Sequence, residues 1–499
     1  MKTDVYIGID MGSTGLKAVA FEAGSGATLA ASGGALPYLR LPRGGCALSE
    51  QAIRSSLFDA LRAVAQQLGP RTADVRALCC TGHGAGLYAL DEHHQLLGGH
   101  AVASTDQRAA ARARALAPDC GAALFEEVGC GPWSGQPTLI AAELFGADAV
   151  RRGEIRRLLF AKDYLAFLLT GEMATDASDA STAGLLSLAT LAWSPMAFEA
   201  AGLQGLPTAM LPPIVPSGTV IGNLLPSRSD DCGLPRGLPV ALGTIDLLAS
   251  LTAVGAQTRG HAVAVLGTWC VNAVIGPVRD PKPAVGAVVN FGAPGQRLYL
   301  ENSPSSMANV AWLAASLQFP NAAAVVDCAM SVPLGAAGLR FLPFVNGGGS
   351  PPGASAGFIG LKAHHDRSHM ARAVVDAVAA LHARHLRRLA SLGLGVPGSA
   401  AALGGGARDA RLVQLLASFL GHPVERCGDD ETGARGAAMY AAMSQGAQHE
   451  GDRSVLPAPS QEVDPVADQA QAHADFYAGF NELLDALSPA FQQLSQEAA

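Results

Sequence analysis

The chain has 499 residues, of which 49% are hydrophobic and 15% are charged, and its formal net charge is −8. This length predicts two or three domains with large buried cores. The acidic balance argues against a nucleic-acid partner, and no dense lysine and arginine run suggests binding to an anionic membrane surface.

The nine cysteines are scattered and form no C-x-x-C pair, which indicates buried reduced thiols rather than a disulfide framework or a zinc site. The first residues, MKTDVYIGID, contain acids and lack the apolar segment of a signal peptide. No stretch of about 18 apolar residues lacks a charge or a glycine break. We therefore expect a cytoplasmic protein without a transmembrane segment.

Apolar runs alternate with stretches of helical period along the chain, which predicts an α/β fold. The longest predicted helix runs from about Asp366 to Leu392, and a C-terminal helix runs from about 473 to 495. A polar segment at 446–471 is predicted to be a surface connection. Strands are predicted at 5–10, 17–22, 76–81, 86–91, 238–242, 263–267 and 270–276.

The first pattern along the chain is YIGIDMGSTGLKAVAF, in which two apolar strands flank a small polar turn. It is not a P-loop, because the G-K-[ST] tail is missing and a strand follows. Backbone N–H groups and the hydroxyls of Ser13 and Thr14 can still bind a phosphate, with Lys17 adding charge and Asp10 holding Mg²⁺. The alternative is a glycine-rich hairpin with an acid at its corner.

Two polar clusters follow in the first half of the chain. TGHGAGLYALD carries His83 between glycines, and ASTDQRA brings together Asp106, Gln107 and Arg108. Adjacent donors and acceptors in a loop suit a polyhydroxylated ligand. Each cluster would equally suit a surface turn.

Asp246 ends the apolar run PVALGTID and precedes a helical run. A carboxylate at the end of a buried strand faces the usual ligand crevice of α/β folds. It could accept the proton of a substrate hydroxyl that attacks phosphorus. The alternative is an aspartate that caps a helix.

A second stretch, AVAVLGTWCVNAVIG, repeats the strand–turn–strand layout of the first around Gly267 and Thr268. The identity between the two stretches is too low to prove a repeat. The shared layout suggests two related domains, each presenting a hairpin turn to a shared cleft.

Three further stretches lie near the C-terminus. KAHHDRSH places His365 and His369 four residues apart, which allows a metal site, although a helix start is the better interpretation. In LGGGARDARLVQLLASFLGHPVE, the glycines Gly404, Gly405 and Gly406 would let the backbone approach a flat ligand such as adenine, and a strand-to-helix turn is the alternative. DDETGARGAAMYAA predicts a helix of small residues that packs closely.

Taken in order, seven stretches over nearly the whole chain resemble the FGGY family of carbohydrate kinases. The four not quoted in full above are KDYLAFLLTGEMATDASDAS, GTIDLLASLTAVGA, GLRFLPFVNGGGSPPGASAGFIGL and HHDRSHMARAVVDAV. The resemblance implies two actin-like, ribonuclease H-like ATPase domains that flank a central cleft, with ATP and Mg²⁺ as cofactors. It also implies an N-terminal sugar-binding domain over 1–246, a C-terminal nucleotide-binding domain over 247–445 and a connection and helix over 446–499.

The resemblance also implies roles for individual residues. Asp246 would be the general base, and Asp10 would help to hold Mg²⁺. The other implied contacts are with phosphates for Gly12, Ser13, Thr14, Lys17, Gly267 and Thr268, with the nucleotide for Gly404, Gly405 and Gly406, and with the sugar for His83, Asp106, Gln107, Arg108 and Asp246.

Several stretches look most like the branch of the family that phosphorylates xyluloses, and within it like the L-xylulose or 3-keto-L-gulonate kinases. His83-Gly84-Ala85 departs from the Met-His pair of D-xylulose kinases, which puts D-xylulose in doubt. An anionic sugar would favour a cation in the pocket, for which Arg108 is the nearest candidate. The alternatives are an erythritol or other polyol kinase, or a non-kinase actin-like ATPase or sugar-binding module. A homodimer is the family-level expectation.

Overall fold

The computed structural model describes residues 3–12, 15–146, 153–203, 210–256, 260–280, 282, 284–347, 351, 353–396, 398–428, 431–447 and 455–497. The strands are β1 Val5–Met11, β2 Gly15–Glu22, β3 Thr28–Ala35, β4 Leu39–Leu41, β5 Gly45–Ser49, β6 Val75–Gly82, β7 Tyr88–Leu90, β8 His100–Val102, β9 Arg157–Leu159, β10 Val220–Asn223, β11 Pro239–Ile245, β12 Ala262–Leu266, β13 Cys270–Pro277, β14 Ala287–Val289, β15 Gln296–Ser303, β16 Arg340–Leu342, β17 Gly357–Ile359, β18 Ala400–Leu403, β19 Val424–Cys427 and β20 Ser460–Val463. All seven predicted strands are present.

The helices are α1 Glu50–Leu68, α2 Ala110–Val128, α3 Pro137–Leu144, α4 Ala161–Thr170, α5 Ala177–Thr182, α6 Pro195–Ala200, α7 Pro226–Cys232, α8 Asp246–Ala253, α9 Met307–Ser316, α10 Ala322–Ala329, α11 Arg367–Ser391, α12 Ala410–Leu420, α13 Thr432–Met443 and α14 Ala470–Glu497. The predicted long helix and the predicted C-terminal helix are α11 and α14. Among the described residues, no helix is both long and apolar enough to cross a membrane.

The chain divides into two compact units, and neither is continuous in sequence. The first unit comprises Met1–Thr258, Ala287–Arg297 and Glu431–Ala458. The second comprises Arg259–Gly286, Leu298–Asp430 and Pro459–Ala499.

In the first unit, six strands form a sheet in the order β10-β11-β6-β1-β2-β3. Strands β1 and β2 are an antiparallel hairpin, whereas β1, β6 and β11 run parallel to one another. The apolar side chains of β1 are fully buried and pack with those of α1 and α4. Parallel strands with helices on their faces read as near-continuous apolar runs, which is why sequence identified them.

In the second unit, strands lie in the order β15-β13-β12-β18-β19-β20. Here too a hairpin, β12–β13, adjoins parallel strands, because β12, β18 and β19 run in one direction. The long helix α11 is buried along most of its length and forms the centre of this unit's core. The two predicted hairpins therefore occupy equivalent positions in two sheets of like layout.

The stretch 446–471 differs from the predicted surface connection. Ser460–Val463 forms β20, which pairs antiparallel with β19 and ends the second sheet. Alternating polar residues in SQEV gave little apolar signal, as is usual for a strand at the edge of a sheet. Residues 448–454 lie outside the described part of the chain.

Candidate functional site

The first unit brings three candidate residues to one edge of its sheet. The parallel strands β1, β6 and β11 are neighbours, and Met11, Gly82 and Ile245 are at their carboxyl ends. Asp10 lies at the end of the first strand, and His83 and Asp246 directly follow the other two. The carboxyl edge of parallel strands is where α/β proteins bind ligands.

Asp10 lies in an unusually acidic and buried environment. Burial, followed by the nearby carboxylates of Asp246 and Glu431, raises the pKa of Asp10 to about 7, and Lys17 lowers it. Its Oδ1 atom is buried and has no hydrogen-bond partner among the described residues. A buried carboxylate oxygen without a protein partner can bind a divalent cation such as Mg²⁺, which takes carboxylate oxygens together with waters and phosphates. Among the described residues, no group of three or more His, Cys, Asp or Glu side chains could hold a metal ion by itself.

Lys17 is opposite Asp10 in the β1–β2 hairpin, and its side chain forms an ion pair with Glu431. Its Nζ atom lies 2.9 Å from Glu431 Oε1. Glu431, just before α13, was not predicted as a site residue, because nothing local in the sequence links it to a hairpin some 400 residues away. Gly12 is described, whereas Ser13 and Thr14 lie outside the described residues.

Asp246 is the first residue of α8 rather than the residue that caps it. Ile245 occupies the cap position, and Asp246 Oδ1 accepts a hydrogen bond of 2.7 Å from the N–H of Leu247. Burial raises the pKa of Asp246 to about 6. Asp246 is therefore not at the cap position itself, although its carboxylate accepts an N–H of the first turn, and its raised pKa gives it a basicity suited to accepting a proton near neutral pH.

His83 lies in a loop that is fixed to the end of β1. Its backbone N–H donates to Met11 O over 2.9 Å, and its Nε2 atom is 3.0 Å from the Tyr88 hydroxyl. Burial lowers the pKa of His83 to about 4, so the imidazole is neutral at physiological pH. Its Nδ1 atom is buried without a hydrogen-bond partner among the described residues. A neutral ring with one such nitrogen can bind a hydroxyl group.

The 103–109 loop is organised by an internal ion pair. Arg108 Nη2 lies 2.7 Å from Asp106 Oδ2, and Arg108 Nε lies 3.0 Å from both Asp106 oxygens. Asp106 also accepts the N–H of Cys46, whereas Gln107 is exposed and donates to Thr105 O. The cation expected for an anionic sugar is thus already neutralised, because Asp106 holds the Arg108 guanidinium in a bidentate pair.

A fully buried charge cluster supports the strand that leads to Asp246. Lys162 Nζ contacts Asp163, lies 3.0 Å from Asp176 Oδ1 and lies 3.4 Å from Asp179 Oδ2. Asp176 Oδ2 accepts the Ser178 hydroxyl, and Ser178 Oγ accepts the N–H of Ile245 over 3.1 Å. The cluster therefore reaches the backbone of the residue before Asp246. Its members were quoted in the sequence only as a family pattern, without a role.

Helix α13 packs against the same edge through residues without bulky side chains. A Cβ atom on Gly433 would lie 2.4 Å from Asp10 Oδ2, and one on Gly436 would lie 1.9 Å from Ala249 O. The predicted close packing of this small-residue helix is confirmed. Only glycine at 433 allows the start of the helix to approach the Asp10 carboxylate this closely.

The second unit brings its two glycine turns together. Because β12 and β18 are parallel neighbours, Gly267 and Gly404 follow them at the same edge of the sheet. Gly404 has a φ of 85°, and a Cβ atom there would lie 3.1 Å from Leu266 O. A Cβ atom on Gly406 would lie 2.9 Å from Met307 Sδ, whereas one on Gly405 would meet nothing within 4 Å. Gly405 is thus the position of the three that leaves open space.

His365 and His369 are explained by the start of α11. His369 Nδ1 lies 2.8 Å from Asp366 Oδ1, and Asp366 accepts N–H groups of the first turn. His365 Nδ1 accepts the Lys362 N–H, and its Nε2 is 3.3 Å from Ala337 O. The helix-start interpretation is confirmed, since Asp366 and His369 form the capping box of α11.

Two hairpin-bearing sheets of like layout give the chain the actin-like α/β fold. The sequence matches the N-terminal domain of the FGGY family of carbohydrate kinases over residues 5–255 and the C-terminal domain over 262–445. The chain belongs to this family, and it is a sugar kinase. Members of the family use ATP. The predictions of actin-like α/β domains and of a carbohydrate kinase are confirmed.

Three known proteins illustrate the likeness. The L-xylulose/3-keto-L-gulonate kinase of Escherichia coli (strain K12) is 26% identical over 458 residues, covering 90% of this chain and 89% of that protein. The erythritol kinase of Brucella abortus (strain 2308) is 27% identical, covering 99% and 98%. The crystal structure of xylulose kinase from Rhodospirillum rubrum superposes with a TM-score of 0.84 at 25% identity, covering 98% of this chain and 100% of that chain.

Proposed function

We propose that the chain transfers the γ-phosphoryl group of ATP to a hydroxyl group of a xylulose. The observation that carries the proposal is Asp246, a partly buried carboxylate with a raised pKa at the carboxyl end of β11, beside Asp10. Relatives that are xylulose and L-xylulose kinases support the sugar class.

In this reaction Asp246 accepts the proton of the sugar hydroxyl while the hydroxyl oxygen bonds to the γ-phosphorus. The bond from that phosphorus to the oxygen bridging the β- and γ-phosphates breaks, and ADP leaves with the electron pair. Asp10 would hold Mg²⁺, which when bound neutralises charge on the phosphates. The partial burial of Asp246 reduces the solvation of its carboxylate and makes it more basic.

The phosphates would be bound by backbone N–H groups of the two hairpin turns. In the first turn we propose Gly12, Ser13 and Thr14, with Lys17 adding positive charge. In the second turn we propose Gly267 and Thr268. The nucleotide would lie along Gly404, Gly405 and Gly406, of which Gly405 leaves open space.

For the sugar we propose an uncharged ketose rather than a sugar acid. His83 is a neutral hydrogen-bonding group. Arg108 is held by Asp106 in an ion pair. We propose that this pair and Gln107 orient the 103–109 loop or contact hydroxyl groups of the sugar. Erythritol is the second candidate, because the match to the erythritol kinase extends over 98% of that protein.

A screen of ADP release tests the proposal, with D-xylulose, L-xylulose, 3-keto-L-gulonate, the ribuloses, erythritol and glycerol as acceptors. We expect a xylulose to give the highest kcat/KM and the sugar acid to be poor. Highest activity with 3-keto-L-gulonate would contradict the uncharged-sugar proposal, and highest activity with erythritol would favour the second candidate. ATP hydrolysis indifferent to every acceptor would contradict kinase activity on these polyols.

We also propose a cytoplasmic location and a homodimer, as expected from the sequence. Cell fractionation tests the location, and light scattering after size-exclusion chromatography tests the dimer.

A further inference from the structure

A buried chain of neutral polar side chains links α11, β13 and the start of α9 within the second unit. Ser306 Oγ lies 2.8 Å from His382 Nε2, and His382 Nδ1 lies 2.8 Å from Asn272 Oδ1. Asn272 Nδ2 in turn lies 3.0 Å from His385 Nδ1. All four side chains are at most 2% exposed, and none had been predicted as a site residue.

The hydrogen bonds of this side-chain network can all be satisfied when every bond is donated in the same direction, from Ser306 towards His385. The Asn272 amide nitrogen donates to His385 Nδ1, so its Oδ1 accepts from His382 Nδ1–H. A neutral His382 protonated at Nδ1 has Nε2 as an acceptor, and Ser306 must then donate its hydroxyl hydrogen. Burial lowers the pKa of both histidines to about 3, which keeps both rings neutral.

Ser306 occupies the cap position of α9, yet its hydroxyl makes no capping hydrogen bond. A serine at this position ordinarily accepts N–H groups of the first helical turn. Carbonyl oxygens of the glycine turn accept N–H groups at this end instead. Ser306 N–H donates to Thr268 O over 2.9 Å, and Met307 N–H donates to Gly267 O over 3.0 Å.

These contacts fix the direction of the turn's own N–H groups. In a planar trans peptide, the carbonyl and the following N–H point in opposite directions. Because the carbonyls of Gly267 and Thr268 point at the start of α9, the N–H groups of Thr268 and Trp269 point away from it. Thr268 and Trp269 are both exposed to solvent.

We propose that Ser306 and His382 are positioning residues that hold the Gly267–Trp269 turn so that the N–H groups of Thr268 and Trp269 face the phosphates of ATP. This inference rests on the proposed function, since it assumes that the turn binds phosphate. His382 acts through Ser306, whose backbone N–H holds Thr268. Neither side chain needs to touch the nucleotide.

The test compares Ser306→Ala and His382→Gln with His473→Gln as a matched control. His473 is also a buried histidine of the second unit, but its Nδ1 lies 2.9 Å from Gln469 O and its ring packs on Phe419. We expect KM for ATP to rise on the order of 10-fold in the first two variants, since misplacement by about 1 Å can cost up to about 100-fold. KM for the sugar should stay within about twofold, and the control should match wild type in both constants.

Isothermal titration with ADP separates the failure of this inference from failure of the proposed function. Wild-type protein that binds no ADP would contradict the proposed function. Wild-type protein that binds ADP, together with folded variants whose ADP affinity and KM for ATP are unchanged, would overturn the positioning roles. Thermal unfolding identifies a misfolded variant, and Ser306→Ala, which removes only one oxygen atom, serves as the second variant if His382→Gln does not fold.

Discussion

The β1–β2 and β12–β13 hairpins occupy equivalent places in two sheets of like layout, but their surroundings are chemically opposite. Near the first are the carboxylates of Asp10 and Asp246, with the buried Lys162 cluster behind Ile245. Behind the second lies a neutral network of the Ser306 hydroxyl, the His382 and His385 imidazoles and the Asn272 amide. The two turns therefore differ in their chemical surroundings although the layout of their sheets is alike.

This difference shows that burying the polar groups around each turn costs free energy for a different reason. Buried carboxylates that share one lysine are costly to ionise, and burial indeed raises the pKa of Asp163 and Asp179. A neutral network costs less to bury, provided that each donor meets an acceptor. The first edge should therefore be reactive and sensitive to loss of a charge, and the second should be sensitive to geometry.

The largest expected effect is on the reactive edge. Asp246→Asn keeps the shape of the side chain but removes the base, so kcat should fall by about 10²–10⁴-fold. Sugar affinity should stay within a few-fold. Steady-state kinetics and sugar titration measure the two quantities. Turnover like that of wild type would remove Asp246 as the base. The control is Asp230→Asn, which changes an exposed acid paired with Arg236 and should leave kcat unchanged.

The second effect concerns the charge cluster beneath that edge. Lys162→Met leaves three buried carboxylates without their cation, so the unfolding free energy should fall by about 3–5 kcal/mol. Arg236→Met is the control, because this exposed pair with Asp230 should contribute at most about 1 kcal/mol. Chemical denaturation measures both. Equal losses of unfolding free energy in the two variants would show that the buried Lys162 cluster contributes no more to stability than the exposed ion pair does.

Much of the fold was predictable, because buried parallel strands give apolar runs and their ends give turns. The positions of Asp10, Asp246 and the glycine turns at strand ends were predicted for this reason. Glu431 and the Ser306–His382 contact were not, because each depends on residues far apart in sequence that meet only after the sheets form. His382 and His385 did leave a local signal, because these two histidines three residues apart share a helix face with the buried Val378 and Leu389.

Arg108 shows a different limit of sequence reasoning. The residue type and loop were consistent with an anion-binding cation, and the sequence placed Asp106 beside it. Only the structure shows that the two form a bidentate pair. Charge in a sequence thus predicts the presence of a cation but not whether that cation is already neutralised.

The third effect tests the geometric side of the comparison with neighbouring glycines. Gly405→Ala adds a methyl group in open space, so stability should hardly change, but KM for ATP should rise several-fold if nucleotide lies there. Gly404→Ala places a methyl group at a φ of 85° and close to Leu266, which should cost about 1–3 kcal/mol of unfolding free energy. An unchanged KM for ATP in Gly405→Ala would remove this turn from the nucleotide site.

The smallest effect is a difference in the sign of pH dependence between the two regions. The pKa of Asp246 is raised from an ordinary 3.8 to about 6, so its ionisation costs stability as pH rises from 3.8 through 6. The pKa of His382 is lowered from 6.5 to about 3. Below pH 6.5 the unfolded chain therefore gains a proton at this residue that the folded chain does not, and stability falls as the pH falls.

In thermal unfolding, the stability of Asp246→Asn should therefore differ from that of wild type mainly at high pH, and the stability of His382→Gln should change relative to wild type mainly at low pH. Relative to wild type, Asp246→Asn should gain about 1–3 kcal/mol at pH 8 compared with pH 4, because it removes a carboxylate that is costly to bury in its charged form. His382→Gln should lose less stability than wild type between pH 6.5 and pH 4, because glutamine has no proton to gain. Parallel shifts of both variants with pH would mean that neither titration is coupled to folding, and the chemical contrast between the two hairpins would then not extend to stability.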